Sequence, residues 1–401
     1  MVNLELIRRI AQPSPTKIIL LVIDGLGGLP DPHTGRTELE TASTPNLDRL
    51  AARGICGLAD IVGRGITPGS APGHLALFGY DPLSCNIGRG VLEAVGIDFS
   101  LESGDVAARG NFCTVDKAGL VTDRRAGRIS NDRCTELCHL LDEMVIEKVR
   151  LFVRPVREHR FIAVFRGEGL SSDVTNSDPQ QTGVAPGAIT ALQPQASRMA
   201  DIANRFMAQA KTVLAEQHPA NMVLLRGFSQ KPQFPTVGEI YKLKPAAIAV
   251  YPMYRGLARL VGMEILNTGP NIEDEFLTLK QNYAAYDFFF LHIKGTDSAG
   301  EDGDFDRKVR IIEELDQVLP NLIIIEPDVL IVTSDHSTPA VLKGHSWHPV
   351  PFLLCSEWCR PDRVSEFSES ACVSGGLGRF PATEIMPLAM AHALKLAKFG
   401  A

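Results

Sequence analysis

Three short runs of this chain are apolar at nearly every position, and each stops at a carboxylate. Ile18-Ile19-Leu20-Leu21-Val22-Ile23 ends at Asp24-Gly25, Phe288-Phe289-Phe290-Leu291-His292-Ile293 at Lys294-Gly295-Thr296-Asp297, and Asp328-Val329-Leu330-Ile331-Val332-Thr333 at Ser334-Asp335-His336. A strand with one wetted face alternates apolar and polar residues; a run without a polar face is buried on both sides, as in a parallel sheet covered by helices. Between the second and third runs, the stretch from Phe305 to Leu319 carries apolar residues at 309, 312, 315 and 319, one face of a helix. Strand, helix and strand in that order make a βαβ unit, so an α/β fold with a mostly parallel sheet flanked by helices is expected. Ligands of open α/β sheets bind beyond the carboxyl ends of the strands, which places the three carboxylates at one site.

Thr44-Pro45-Asn46-Leu47-Asp48-Arg49-Leu50-Ala51-Ala52-Arg53-Gly54 reads as a helix capped by Thr44 and stopped by Gly54. The 401 residues suffice for one large domain or two. Arginine is concentrated in the middle, at 109, 124, 125, 128, 133, 150, 154, 157, 160 and 166. An inserted second domain is therefore expected at about 105–235, with 1–104 and 236–401 together forming the sheet domain. The formal charge of −7 argues against a nucleic-acid partner bound through a globally basic surface, so an anion site has to be local. No apolar run is long enough to span a bilayer, and Glu5, Arg8 and Arg9 interrupt the apolar residues of the N-terminus, so a cytoplasmic protein without a membrane partner is expected. The eight cysteines form no Cys-x-x-Cys pair, which favours idle thiols in a reducing compartment over a zinc site. Homo-oligomerisation is left open.

The loop Gly65-Ile66-Thr67-Pro68-Gly69-Ser70-Ala71-Pro72-Gly73 delivers Ser70 to the start of an apolar helical stretch, where a serine is either an N-cap or a nucleophile. The weighing turns on a set of oxygen and imidazole donors: Asp24, Asp297, Glu301, Asp335, His336, His345 and His348. Each has an ordinary reading, as a turn former, helix cap or loop residue. Together they suit zinc or manganese, with magnesium where oxygens dominate, and two such ions would activate a serine hydroxyl without a Ser-His-Asp triad. His33, His74, His139, His159, His218 and His392 read as structural or surface residues, and His345 as a residue behind the ligands.

Five strings, in order, resemble the archaeal-type cofactor-independent (2,3-bisphosphoglycerate-independent) phosphoglycerate mutases: Val22 to Gly28, Thr41 to Asp48, Thr67-Pro68-Gly69-Ser70 with Phe78 to Pro82, His292 to Asp304, and Thr333 to Pro339. The resemblance spans essentially the whole chain. It implies the alkaline phosphatase superfamily, with an alkaline-phosphatase-like metal-binding α/β domain and an inserted smaller α/β domain for phosphotransfer and substrate binding. Carried over by motif, Ser70 is the nucleophile; Asp24, Ser70, Asp335 and His336 hold one divalent ion; Asp297 and His348, with Glu301, hold the other. Arg109, Asp123, Arg124, Arg128, Arg255 and Lys294 are the substrate-binding candidates, with Lys294 equally able to pair with a phosphate or with Asp297. Two departures stand out. Glu301 occupies a place where many relatives have a metal-ligating histidine, which moves metal preference toward harder ions, and Ala71-Pro72-Gly73 replaces the usual Asp-Thr-Ala after the serine.

The implied activity is interconversion of 3-phosphoglycerate and 2-phosphoglycerate through phospho-Ser70, using manganese, magnesium or zinc and no 2,3-bisphosphoglycerate. Arginine forks would hold the acid so that glycerate is kept and water is not admitted. The rivals are a related phosphotransferase or phosphatase acting on another small phosphorylated acid, and a non-catalytic metal- or metabolite-binding relative. The Ser70 hydroxyl, which a binding module does not need, speaks against the latter.

Overall fold

The computed structural model describes residues 3–85, 87–142 and 144–400; Met1, Val2, Asn86, Glu143 and Ala401 lie outside the described residues. Along the chain the strands are β1 Ile18–Ile23, β2 Ile55–Asp60, β3 Val106–Val115, β4 Val121–Asp123, β5 Val145–Ile146, β6 Val149–Arg157, β7 Arg160–Arg166, β8 Met222–Gln230, β9 Pro245–Ala249, β10 Glu264–Leu266, β11 Phe288–Ile293, β12 Val329–Thr333, β13 Val350–Ser356 and β14 Gly378–Pro381. The chain divides into two units, Met1–Asn86 with Phe234–Ala401, and Ile87–Gln233.

In the first unit eight strands run in the order β10-β9-β11-β1-β12-β13-β2-β14. β1 lies between β11 and β12, parallel to both, with Ile23 opposite Ile293 and Val22 opposite Thr333. That register brings the three strand ends level, so Asp24, Lys294 to Asp297 and Ser334 to His336 leave the sheet along one edge. All six residues of β1 and of β11 are buried. Ile19, Leu21, Phe289, Leu291, Leu330 and Val332 pack with Ile312, Leu315 and Leu319 in one core cluster; each such side chain contributes on the order of 1.5–3 kcal/mol of burial. The helix between β11 and β12 spans Phe305–Val318, with Leu319 at its C-cap, close to the range its spacing predicts. β13 is antiparallel to β12 and β2, so the sheet is mixed at that side.

The helix Pro45–Ala51 has Thr44 at its cap position, but the threonine side chain makes no capping bond. The buried Asp316 carboxylate serves instead, accepting from the backbone N–H groups of Asn46 (3.1 Å) and Leu47 (2.8 Å). The helix stops at Ala51, with Ala52 as its C-cap, before Gly54 is reached.

The second unit is a six-stranded antiparallel sheet, β4-β3-β7-β6-β5 with β8 paired to β3. Its core joins Phe112, Phe161 and Phe165 to Leu137 of the helix Asn131–Leu141 and Phe206 of the helix Ser197–Val213. The unit begins at Ile87 and not near 105, because the helix Arg89–Gly96 packs against β3 and β8. The approach is close enough that a Cβ at Gly90 would lie 2.0 Å from the Ala107 carbonyl oxygen. Its other edge falls at Gln233 in place of 235. Among the described residues no helix is long and apolar enough to cross a membrane.

Candidate active site

Asp24 is the first residue beyond β1, and Gly25 turns the chain there with φ 64°, a left-handed conformation that glycine adopts without strain. The Asp24 side chain is fully buried and its two oxygens differ. Oδ2 accepts from the Tyr254 hydroxyl at 2.5 Å and lies 3.1 Å from Lys294 Nζ and 3.2 Å from His292 Nε2. Oδ1 has no hydrogen-bond partner and lies 3.3 Å from His336 Nε2.

Asp335 and His336 follow β12 and are equally buried. Asp335 Oδ2 has no hydrogen-bond partner and sits 3.2 Å from His336 Nε2. The histidine tautomer follows from its neighbours. Thr338 donates its hydroxyl proton to Asp297 Oδ1 (2.6 Å), so its oxygen, 3.0 Å from His336 Nδ1, accepts from an Nδ1–H. His336 Nε2 is then left with a lone pair. One nitrogen lone pair and two carboxylate oxygens that lack hydrogen-bond partners converge here, and burial of such oxygens without a partner is unfavourable. Asp24, Asp335 and His336 thus form one group whose ligand atoms all lie within 4.8 Å of one another.

The electrostatics agree. Burial alone would raise the Asp24 carboxyl, but His292 and Lys294 hold it well below the usual carboxylate range. Burial and repulsion from Asp24 push Asp335 well above that range, and burial keeps the His336 imidazole neutral. A divalent cation answers both: it needs a neutral imidazole and ionised carboxylates, and it supplies the charge that their burial lacks.

Ser70 is the first residue of the helix Ser70–Leu77, and Gly69, not Ser70, holds the cap position. Its hydroxyl is therefore not spent on capping, and Oγ lies 3.3 Å from His336 Nε2. His74, one turn on, is bound through Nδ1 to the Ser70 carbonyl at 2.8 Å; burial drives its pKa down to about 3, so it is a neutral member of the wall.

A second group is Asp297, His336 and His345. Asp297 lies in the helix Gly295–Asp302, and His345 Nε2 lies 3.6 Å from its Oδ1. His345 Nδ1 is 2.9 Å from the Pro68 carbonyl oxygen, which can only accept, so Nδ1 carries a proton and the neutral ring would offer its lone pair at Nε2. The ring stacks on His336 with centroids 3.6 Å apart. His348 is in neither group: its Nδ1 is 3.0 Å from Ser346 Oγ and its ring lies against Trp347. The histidine of this loop that reaches Asp297 is His345, and nothing in the spacing of Gly344-His345-Ser346-Trp347-His348 distinguishes the two; the Pro68 carbonyl does. Glu301 shares the Asp297 helix, its Oε1 3.8 Å from His345 Nε2 and its side chain 55% exposed. Lys294 Nζ contacts Asp24 and Asp297, and these carboxylates outweigh its burial and raise its pKa. Arg255 lies on the helix Pro252–Leu260, beside Tyr254.

The remaining substrate candidates belong to the second unit. Arg109, on β3, is 7% exposed, with Nη1 3.3 Å from Glu93 and a buried Nε lacking a hydrogen-bond partner. Burial and its neighbours Arg160, Arg89 and Arg226 lower its pKa to about 10. Arg124 binds Asp178 through Nε (3.0 Å) and Nη2 (2.8 Å), and Arg226, directly opposite Arg109 in the sheet, lies 3.6 Å from the same carboxylate. Arg89, Arg109, Arg124, Arg160 and Arg226 gather around Glu93 and Asp178, an arginine-rich cluster suited to an anion. Arg89, Arg160 and Arg226 are not legible as members of this group from sequence, since strand pairing assembles it. Asp123 instead shapes its own turn, accepting from the N–H groups of Arg125 and Gly127, and Arg128 is an exposed partner 4.0 Å from Glu158.

The protein family described as 2,3-bisphosphoglycerate-independent phosphoglycerate mutase matches residues 51–221. A protein of Thermosipho africanus named "probable 2,3-bisphosphoglycerate-independent phosphoglycerate mutase" is 49% identical over 399 residues, 99% of each chain. One of the same name from Thermus thermophilus is 48% identical over 98% of each. Among solved structures, a Pyrococcus horikoshii protein matches with TM-score 0.82 and 29% identity, covering 97% of this chain and 100% of that one. The cofactor-independent phosphoglycerate mutase of Thermoplasma acidophilum matches with TM-score 0.77 and 30% identity, covering 94% and 100%.

Proposed function

Since the chain belongs to the 2,3-bisphosphoglycerate-independent phosphoglycerate mutase family, we propose that it interconverts 3-phosphoglycerate and 2-phosphoglycerate through a phosphoserine at Ser70, in the cytoplasm. The observation that carries this reading is the Ser70 hydroxyl 3.3 Å from His336 Nε2, beside two buried carboxylate oxygens without partners. One divalent ion would be held by Asp24, Asp335 and His336 with Ser70, the other by Asp297 and His345 with Glu301 at its edge. When bound, the ions supply Lewis acidity and neutralise charge on the phosphoryl oxygens. Manganese or zinc suits this mixed donor set, and the Glu301 oxygen extends it toward magnesium.

In the forward direction Ser70 Oγ attacks phosphorus, a bond from Oγ to phosphorus forms, and the bond to the substrate 3-oxygen breaks; that oxygen takes up the proton that Ser70 gave up. The 2-hydroxyl of the retained glycerate then attacks phospho-Ser70, loses its proton and returns the serine hydroxyl. No water is consumed. Lys294, anchored by Asp24 and Asp297, is placed to hold positive charge near the phosphoryl oxygens. Holding glycerate is what distinguishes a mutase from a phosphatase. The cytoplasmic part of the proposal is supported by eight free cysteines, as befits a reducing compartment.

The test uses chelator-stripped protein reloaded with manganese, magnesium or zinc, without added bisphosphoglycerate, alongside Ser70→Ala. Mutase activity that requires both metal and Ser70 supports the reading. Release of free phosphate in place of 2-phosphoglycerate moves it to a phosphatase.

A further inference from the structure

Tyr254 is fully buried on the helix Pro252–Leu260, and its hydroxyl reaches the carboxylate of Asp24. It donates to Asp24 Oδ2 at 2.5 Å and accepts from Lys294 Nζ at 3.3 Å. Its ring stacks on His292, centroids 3.7 Å apart and planes 28° apart. His292 Nε2 and Lys294 Nζ approach the same Asp24 oxygen, at 3.2 and 3.1 Å. Three polar groups therefore crowd one oxygen of a carboxylate whose other oxygen has no hydrogen-bond partner.

We propose that Tyr254, braced by His292, is a positioning residue that commits Asp24 to one-oxygen ligation, keeping Oδ2 on protein donors and leaving Oδ1 for the ion shared with Asp335 and His336. The inference rests on the metal reading above. A carboxylate without such partners rotates about its Cβ–Cγ bond and can offer both oxygens or neither; outer partners that stop this rotation typically matter 10–100-fold in metal affinity.

The test is a manganese titration of the full-length, chelator-stripped protein by calorimetry, with mutase rates measured in parallel. Tyr254→Phe keeps the ring on His292 and deletes only the hydroxyl. The expected result is one ion bound about 10–100-fold more weakly and the other unchanged. Tyr241→Phe is the control: that tyrosine is also fully buried, but its hydroxyl donates to the Phe78 carbonyl at 3.1 Å, so its loss should lower the melting temperature without altering the titration. Should Tyr254→Phe not fold, His292→Phe keeps the stack, removes the second contact and should weaken the same ion. Both ions bound within about twofold of wild type would overturn the proposal whatever the activity, as would an equal weakening of both. A wild-type protein that takes up no ion would instead overturn the metal reading itself.

Discussion

Gly73→Ala tests the active-site geometry by adding a single methyl group. Gly73 lies one turn into the Ser70 helix, and a Cβ there would stand 2.4 Å from the Asp335 carbonyl oxygen and 3.1 Å from the Asp335 Cβ. Ordinary contact begins near 3.4 Å, so the helix and the Asp335 segment have to separate by about 1 Å. Both bodies are packed, and Asp335 is wholly buried, so the gap opens between Ser70 and the Asp335–His336 pair. In stability, overpacking of about 1–3 kcal/mol is offset by roughly 1 kcal/mol of helix propensity gained by alanine over glycine, which leaves a net loss of about 0–2 kcal/mol. In catalysis a 1 Å misplacement costs about 100-fold, or roughly 2.7 kcal/mol of transition-state stabilisation. Rates at saturating metal should therefore fall far more than thermal melts of the same samples predict. Gly69→Ala is the matched control, because its Cβ would meet only Pro72 Cδ, at 3.8 Å. Its expected loss is at most about 1 kcal/mol of stability, with activity retained. If Gly73→Ala kept activity within about threefold of wild type, the argument that this glycine sets the spacing of nucleophile and ligands would be wrong.

His345→Ala should weaken the ion at Asp297 by about 10–100-fold in a metal titration, while His348→Ala should leave both ions in place; the reverse pattern would return the ligand role to His348. Chelation should abolish turnover and destabilise the protein, and manganese at 100 times its dissociation constant should restore about 2.7 kcal/mol; a melting temperature indifferent to metal would contradict the lone-pair convergence at His336. Glu275 is buried with one oxygen lacking a partner, and burial, with a smaller push from Asp274, raises its pKa to about 9. The unfolded chain releases this proton near pH 4.3 and the folded chain holds it, so stability is lost as pH rises toward 9. Glu275→Gln should therefore gain on wild type with pH, by roughly 5 kcal/mol at pH 8; urea unfolding that shows the same difference at pH 5 and pH 8 would refute it.

The strands that carry the ligands are the legible ones. β1, β11 and β12 are buried on both faces, so every position reports its environment, and the polar residues that end them include the candidate ligands Asp24, Asp335 and His336. β2 and β9 are not legible: Ile55-Cys56-Gly57-Leu58-Ala59-Asp60 and Pro245-Ala246-Ala247-Ile248-Ala249 each set a single isoleucine among glycine, alanine, proline or aspartate, which have little strand preference, and pairing with neighbours overrides that local preference. The same limit applies at the site. Asp24, Ser70, Asp297, Asp335 and His336 stand at element ends, where a polar residue after an apolar run is conspicuous. Tyr254 and His292 look like core residues because most of each side chain is core, with only a hydroxyl or a ring nitrogen reaching Asp24. His345 and His348 are separated by a carbonyl 277 residues away in the chain, which no local pattern contains.

The central place of β1 bears on how the chain is made. Its only strand neighbours, β11 and β12, lie at Phe288–Ile293 and Val329–Thr333, on the far side of the whole second unit. At ~5–20 residues per second, a ribosome takes roughly 14–54 s to advance from Ile18 to Phe288. Through that interval six consecutive apolar residues have no partner strand, while every strand of the second unit, from Val106 to Gln230, finds its neighbours within the nascent segment. Exposure of β1 to aggregation is therefore greatest during synthesis, and a chaperone that shields Ile18–Ile23 would guard the strand that Asp24 follows.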